Sequence, residues 1–376
     1  MVASTMLFAA CSKKKTTTTA SSSSTTAASS AAATSSAASS SAPESSSSAA
    51  ATESSSAPAA SSSAPEKKTL KVGLAYDVGG VGDKSFNDSA NAGLERVKAE
   101  LSLDVKGLSA KIGEVAADKE ARLKLLADGG YNPIVAVGFS YAAALEKVAA
   151  KYPDIKFGII DDASSKLPNV AGHTFAADQG SYIVGAAAAL KSKTGTIGYV
   201  GGVQVPLLES FRAGYNAGAK QARPDIKVVY KYLTQAPDFS GFNDPGKGKE
   251  AARGMYDAGA DVVYQVAGGS GTGVFEAAKA ANAMAIGVDS DQYESAAANI
   301  KDVIITSMVK HVDVAVFDFV KSVGDDKFTA GDHKYDLANG GIAYSTSGGK
   351  IDDIKDKLEA IKKDLVDGKI TIPAKP

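Results

Sequence analysis

The sequence predicts an α/β protein built from two doubly wound domains. Three observations carry this. Short apolar runs of strand length alternate with amphipathic stretches of helical length, joined by short polar or glycine-rich loops. The alternation comes in two successive series, the pattern of parallel sheets covered on both faces. Finally, 45 of the 50 residues from 16 to 65 are Ser, Thr or Ala, and setting them and the start aside leaves a length suited to two domains.

The first series opens with Thr69–Tyr76, an apolar strand ending at Asp77. A glycine-rich loop from Val78 to Lys84 leads into a helix over Ser85–Glu100, with Phe86, Ala90, Leu94 and Val97 on one face. A weak strand is expected near 105–108 or 113–115. A helix follows over Lys119–Asp128, stopped by Gly129-Gly130. Pro133–Gly138 reads as a buried strand, Tyr141–Tyr152 as a helix stopped by Pro153, and Lys156–Asp161 as a strand. The second series runs helix Tyr182–Lys191, strand Gly195–Val200, helix Leu207–Arg223 and strand Ile226–Leu233. It continues with a helix from Asn243 to Asp257, strand Asp261–Val266, helix Gly273–Ala283, strand Ala285–Asp289, and strand Val303–Met308 feeding a helix to Ser322. Ligands of open α/β sheets bind beyond the C-terminal strand ends. Asp77, Asp161, Gly268 and Asp289 stand at such ends.

Composition narrows the classes. Lys plus Arg total 41 against 42 Asp plus Glu, which argues against a general nucleic-acid binder. A single cysteine excludes an internal disulfide or a Cys-based metal cluster. No apolar run approaches the ~18 residues of a membrane-spanning helix. Leu7-Phe8-Ala9-Ala10 before Cys11 resembles a bacterial lipobox, in which the Cys is lipidated and becomes the N-terminus. A stray Cys in a loose start is the alternative. Residues 1–11 are short and uncharged for a signal peptide, so a truncated signal is expected. Residues 12–67 are expected to form a disordered tether, because Ser, Thr and Ala cannot offset their ordering entropy. Its 50-residue low-complexity part has an r.m.s. span of about 40 Å and a maximal reach of about 165 Å. Ser and Thr near Pro also permit O-glycosylation.

Ordered segments carry a family resemblance. Asp77-Val-Gly-Gly-Val-Gly-Asp-Lys-Ser-Phe-Asn87, Gly138-Phe139, Tyr152-Pro-Asp, Gln179-Gly180, Gly201-Gly202, Phe242-Asn-Asp-Pro-Gly-Lys, Gly268-Gly-Ser-Gly-Thr-Gly273, Ile286-Gly-Val-Asp-Ser-Asp-Gln292 and Thr306-Ser-Met-Val-Lys310 resemble the basic membrane protein family. These are substrate-binding lipoproteins of ABC importers, of the purine nucleoside receptor type. The resemblance implies a two-lobed type I periplasmic-binding fold, with 68–178 plus 307–337 as one lobe and 179–306 plus 338–376 as the other. Chain crossings are expected near 176–181, 305–309 and 335–342. It also implies an extracytoplasmic, lipid-anchored monomer that closes on a nucleoside and delivers it to a permease and its ATPase, with no cofactor, metal or enzymatic activity.

A nucleoside offers a flat base for stacking and ribose hydroxyls for carboxylates. The resemblance implies base stacking for Phe86 and a ribose-binding carboxylate at Asp289, with Asp291 as its alternative. It implies ligand contact for Lys310. Phe242, in a loop after a strand, competes with Phe211 for the second aromatic. Asn87 fits either a base edge or a helix start. Asp77 and Asp161 fit ligand contact or loop capping, and Gly268 admits close backbone approach. A sugar or autoinducer receptor of this fold, or an adhesive surface lipoprotein, are the alternatives. Enzyme motifs fail: Gly138-Phe-Ser-Tyr-Ala142 lacks the last glycine of a nucleophile elbow, and 269–273 and 82–85 miss the spacings of phosphate loops. His173, His311 and His333 are scattered and are expected at surface or loop positions.

Overall fold

A computed structural model describes residues 70–376 apart from 112; the expected lipobox at Cys11 and the tether lie outside them. The chain runs β1 (Lys71–Ala75), α1 (Phe86–Leu101), β2 (Asp104–Leu108), α2 (Ala116–Asp128), β3 (Ile134–Ala136), α3 (Ala142–Ala149), β4 (Phe157–Ile160) and β5 (Val170–Phe175). It continues as α4 (Ala177–Lys191), β6 (Thr196–Gln204), α5 (Pro206–Ala222), β7 (Lys227–Gln235), α6 (Pro245–Asp257), β8 (Val262–Val266), α7 (Gly271–Ala280), β9 (Met284–Asp289), α8 (Gln292–Ser295) and β10 (Ile304–Lys310). The last elements are α9 (Val312–Gly324), β11 (Gly331–Tyr335), β12 (Ile342–Tyr344) and α10 (Lys355–Val366).

The strands form two six-stranded sheets, ordered β11-β5-β4-β3-β1-β2 and β12-β10-β9-β8-β6-β7. All pairings are parallel except β12 against β10. Strands such as β3 and β8 are buried on both faces, as sheets covered by helices on either side require. Each sheet reverses its strand order between its first strand and its neighbour, β1 against β3 and β6 against β8. These switch points are where open α/β sheets take ligands. Helices α4 and α5 pack with backbones almost touching. A Cβ on Gly185 would stand 2.2 Å from the Tyr215 carbonyl oxygen, and one on Gly218 1.9 Å from that of Tyr182.

The structure departs from the expected organisation in two places. The second crossing comes after Lys310, not within 305–309, so 307–310 belong with the second sheet. The reason is pairing: β10 matches β9 from Ile304↔Ala285 to Val309↔Asp289, and the chain is free to leave only beyond that ladder. The first crossing falls at Ala176, within the expected 176–181, since α4 begins at Ala177. His173 is neither a surface nor a loop residue. It lies buried on β5, stacked on His333 of β11 and edge-on to Phe319, and burial pushes its imidazole down to about 3. β5, β11, β12 and α10 are elements that the sequence reading lacks. Among the described residues, no helix is long and apolar enough to cross a membrane.

Candidate functional site

A cleft opens at the C-terminal ends of both sheets. It is lined by Asp77, Phe86, Asn87, Asp161, Phe242, Gly268, Asp289 and Lys310, the eight positions singled out in the sequence. Asp83, Gly138, Phe139, Leu207, Leu208, Phe211 and Val266 are among the other lining residues.

Lys310, the last residue of β10, lines the cleft and is 2 % exposed. Its Nζ lies 2.6 Å from Asp161 Oδ2 and 3.7 Å from Asp289 Oδ1. It also lies 4.6 Å from the ring centre of Phe86 and 5.7 Å from that of Phe211. The other oxygen of Asp161, Oδ1, is buried with no hydrogen-bond partner. A buried acceptor without a partner carries a desolvation cost that an incoming donor would remove. Asp289 Oδ2 lies 3.0 Å from Ser85 Oγ. Burial pushes the Asp289 carboxyl up to about 6, against the pull of Lys310 and with the push of Asp161.

Phe86 begins α1, and Phe242 ends the short turn Phe239–Phe242. The Phe242 ring lies flush on Gly202 of β6, where a Cβ would come within 2.5 Å of it. Gly268 turns beneath it, with φ +53 and room for a Cβ no nearer than 3.2 Å to the Phe242 carbonyl oxygen. Phe211 also lines the cleft but is 2 % exposed, whereas Phe242 is half-buried. Asp291 does not line the cleft; it accepts from the Tyr293 amide and from Ser347 Oγ.

Asn87 lines the cleft, but its amide is occupied. Its Oδ1 accepts from the Asp77 amide, and its Nδ2 donates to the Val78 carbonyl and Asp83 Oδ2. Both amide hydrogens are spent within the first lobe, so the base-edge reading lacks a donor; the helix-start reading is not met either, because the Asn87 oxygen takes the Asp77 amide and not a free amide of α1. The sequence reading missed Asp83. Its carboxylate accepts from the amides of Ser85, Asn87 and Asp88, so it caps α1. Burial pushes that carboxyl up against those hydrogen bonds. An acidic residue just before a helical pattern was the available signal.

The lobes meet directly around the cleft. The Lys84 carbonyl accepts from Ser290 Oγ at 2.8 Å and Gln292 Nε2 at 2.9 Å. Phe139 and Phe239 meet edge to face, 5.9 Å between centres.

Comparison with known proteins agrees with this architecture. Residues 70–375 match the profile of the Bmp family, described as ABC transporter substrate-binding protein PnrA-like. The chain is 37 % identical over 324 residues to the ABC transporter nucleoside-binding protein BmpA of Lactococcus lactis, covering 82 % of this chain and 90 % of that one. It is 32 % identical over 312 residues to basic membrane protein A of Borreliella burgdorferi, covering 81 % and 88 %. Among solved structures, an ABC transporter solute-binding protein of Aeropyrum pernix superposes with a TM-score of 0.71 at 30 % identity, covering 81 % of this chain and 93 % of that one. The fold, the cleft and these matches lead to one conclusion: the chain belongs to the Bmp family of ABC transporter substrate-binding proteins.

Proposed function

We propose that the protein captures a nucleoside in the cleft between its lobes and presents it to an ABC importer. The observation that carries this is the pairing of aromatic rings from both lobes, Phe86 and Phe242, with the buried, unpartnered oxygen of Asp161 beside Lys310 and Asp289. Rings suit a flat base, and carboxylates suit ribose hydroxyls. The name of the lactococcal relative supports the same ligand class. Phe86, Asp77 and Asp161 belong to one lobe, and Phe242, Gly268, Asp289 and Lys310 to the other. Binding energy therefore favours the closed arrangement over an open one. Cys11 is the proposed lipid attachment, holding the protein at the outer face of the cell membrane through the Ser/Ala/Thr segment, with a permease and its ATPase as partners.

The test is calorimetric titration of the purified protein, stripped of ligand by unfolding and refolding, with inosine, guanosine, adenosine, uridine and ribose. The chain has no Trp, so heat is a better signal than intrinsic fluorescence. Binding of a nucleoside without binding of ribose supports the proposal. Ribose binding alone moves the reading to a sugar receptor, and silence from all five rejects it.

A further inference from the structure

We propose that Lys119 is a positioning residue for ligand recognition, acting through Asp77. The inference rests on the reading above of Asp77 as a ligand contact.

Asp77 stands just beyond the end of β1 and lines the cleft. Three donors converge on one of its oxygens, Oδ1: the Val78 amide at 2.8 Å, Ser140 Oγ at 2.8 Å and Lys119 Nζ at 3.1 Å. Its Oδ2 takes no hydrogen bond among the described residues. That oxygen rests against Gly138, where a Cβ would come within 2.3 Å of it, and Gly138 lines the cleft too. A carboxylate with one oxygen saturated and the other unengaged offers a ligand a single acceptor in a fixed place.

Of the three donors, only Lys119 reaches Asp77 from another helix with a charged group. It lies on α2, is 5 % exposed and does not line the cleft. It is held from behind: its Nζ lies 2.7 Å from Glu114 Oε1, while Arg122 binds the other Glu114 oxygen. Burial pushes the Glu114 carboxyl up, but its bonds to Arg122 and Lys119 outweigh this and hold it below the ordinary range. Arg122 also binds the Tyr141 hydroxyl, which donates to the Tyr76 carbonyl beside Asp77. The end of β1 is therefore gripped twice, at the Tyr76 backbone and at the Asp77 side chain. A lysine serving only to staple the 109–115 loop to the lobe needs Glu114 alone. The second bond, to a cleft residue, is what assigns it to the site.

The experiment is a double-mutant cycle on the full chain, with inosine affinity read by calorimetry and melting temperature read alongside. Removing the charge-assisted bond with Lys119→Met is expected to weaken inosine binding about tenfold or more. Asp77→Asn is expected to weaken it as well, and the double variant no further than Asp77→Asn alone. In a crystal structure of Lys119→Met, the Asp77 carboxylate is expected to leave its position. Lys119→Met binding like the wild type, or its loss adding in full to that of Asp77→Asn, overturns the inference and leaves the nucleoside reading intact. If Lys119→Met does not fold, Lys119→Gln, which keeps a donor for Glu114, is read in the same cycle. If the wild type binds no nucleoside, the functional reading fails. The variant structure then decides: a displaced Asp77 supports the positioning role and an unmoved one overturns it.

Discussion

Asp161 and Asp289 occupy the same place in the two lobes. One follows β4 and the other ends β9, each strand third from the outer edge of its sheet. Both adopt the left-handed conformation, φ +67 and φ +65, which a non-glycine residue seldom takes. Both turn a carboxylate toward Lys310. Backbone strain of roughly 1–3 kcal/mol at such positions persists where the surroundings enforce it, and it gathers at ligand sites.

Asp289→Ala is expected to abolish nucleoside binding with folding intact. Losing two charge-assisted hydrogen bonds corresponds to roughly 3–6 kcal/mol. Calorimetry beside a thermal melt checks it; unchanged affinity removes Asp289 from the site.

Acid is expected to act on Asp289 in opposite senses for binding and for stability. The folded carboxyl sits at about 6, against 3.8 as its ordinary value. Ribose hydroxyls need the ionised form, so affinity falls as pH drops through 6, to about tenfold weaker at pH 5. Its contribution to folding runs the other way, fully present below 3.8 and lost as pH rises through about 6. Titrations at pH 5, 6 and 7.5 test this, and Asp289→Asn should flatten the profile.

Phe242→Ala is expected to weaken every nucleoside alike, by roughly 1–3 kcal/mol, because stacking tolerates any base. A loss confined to purines, measured across inosine, guanosine, adenosine and uridine, would instead point to recognition of a base edge.

Ser290→Ala removes the shortest of the three bonds that the second lobe makes to the Lys84 carbonyl, from Ser290, Gln292 and Ser295. A neutral hydrogen bond contributes about 1 kcal/mol, so affinity should fall roughly fivefold. Small-angle scattering of the ligand-free variant should show a larger radius of gyration than the wild type; an identical curve would refute a closing role for this contact.

Gly218→Ala drives a methyl group into the Tyr182 carbonyl on the facing helix. Overpacking of this kind costs about 1–3 kcal/mol. The melting temperature is expected to fall by several degrees, and an unchanged melt would mean that α4 and α5 separate at little cost.

Much of this fold is legible in the sequence because its central strands are buried on both faces. Ile134–Ala136 reads as an unbroken apolar run, and Val262–Val266 is interrupted only by Gln265. β11, Gly-Asp-His-Lys-Tyr, gives no such signal, since an edge strand keeps one side open to solvent. β5 is masked by Gly172 and His173, whose polarity hides a buried strand. Strand-end carboxylates such as Asp161 and Asp289 are visible as positions, but their left-handed backbone is not. Lys119 is invisible for another reason. On an isolated helix it belongs with the solvated charges, and only the meeting of Asp77 and Glu114 around it makes it a buried residue.

The acceptor that Ser290 and Gln292 share is a backbone carbonyl, not a side chain. The clasp between the lobes is therefore indifferent to which side chain stands at position 84. Substitutions there can retune the charge at the rim of the cleft, where Lys84 pairs loosely with Asp88 at 4.0 Å, without releasing the fastening. The left-handed turn at Lys84, φ +57, is the part that has to be kept. Drift of the rim sequence and preservation of closure are thereby uncoupled.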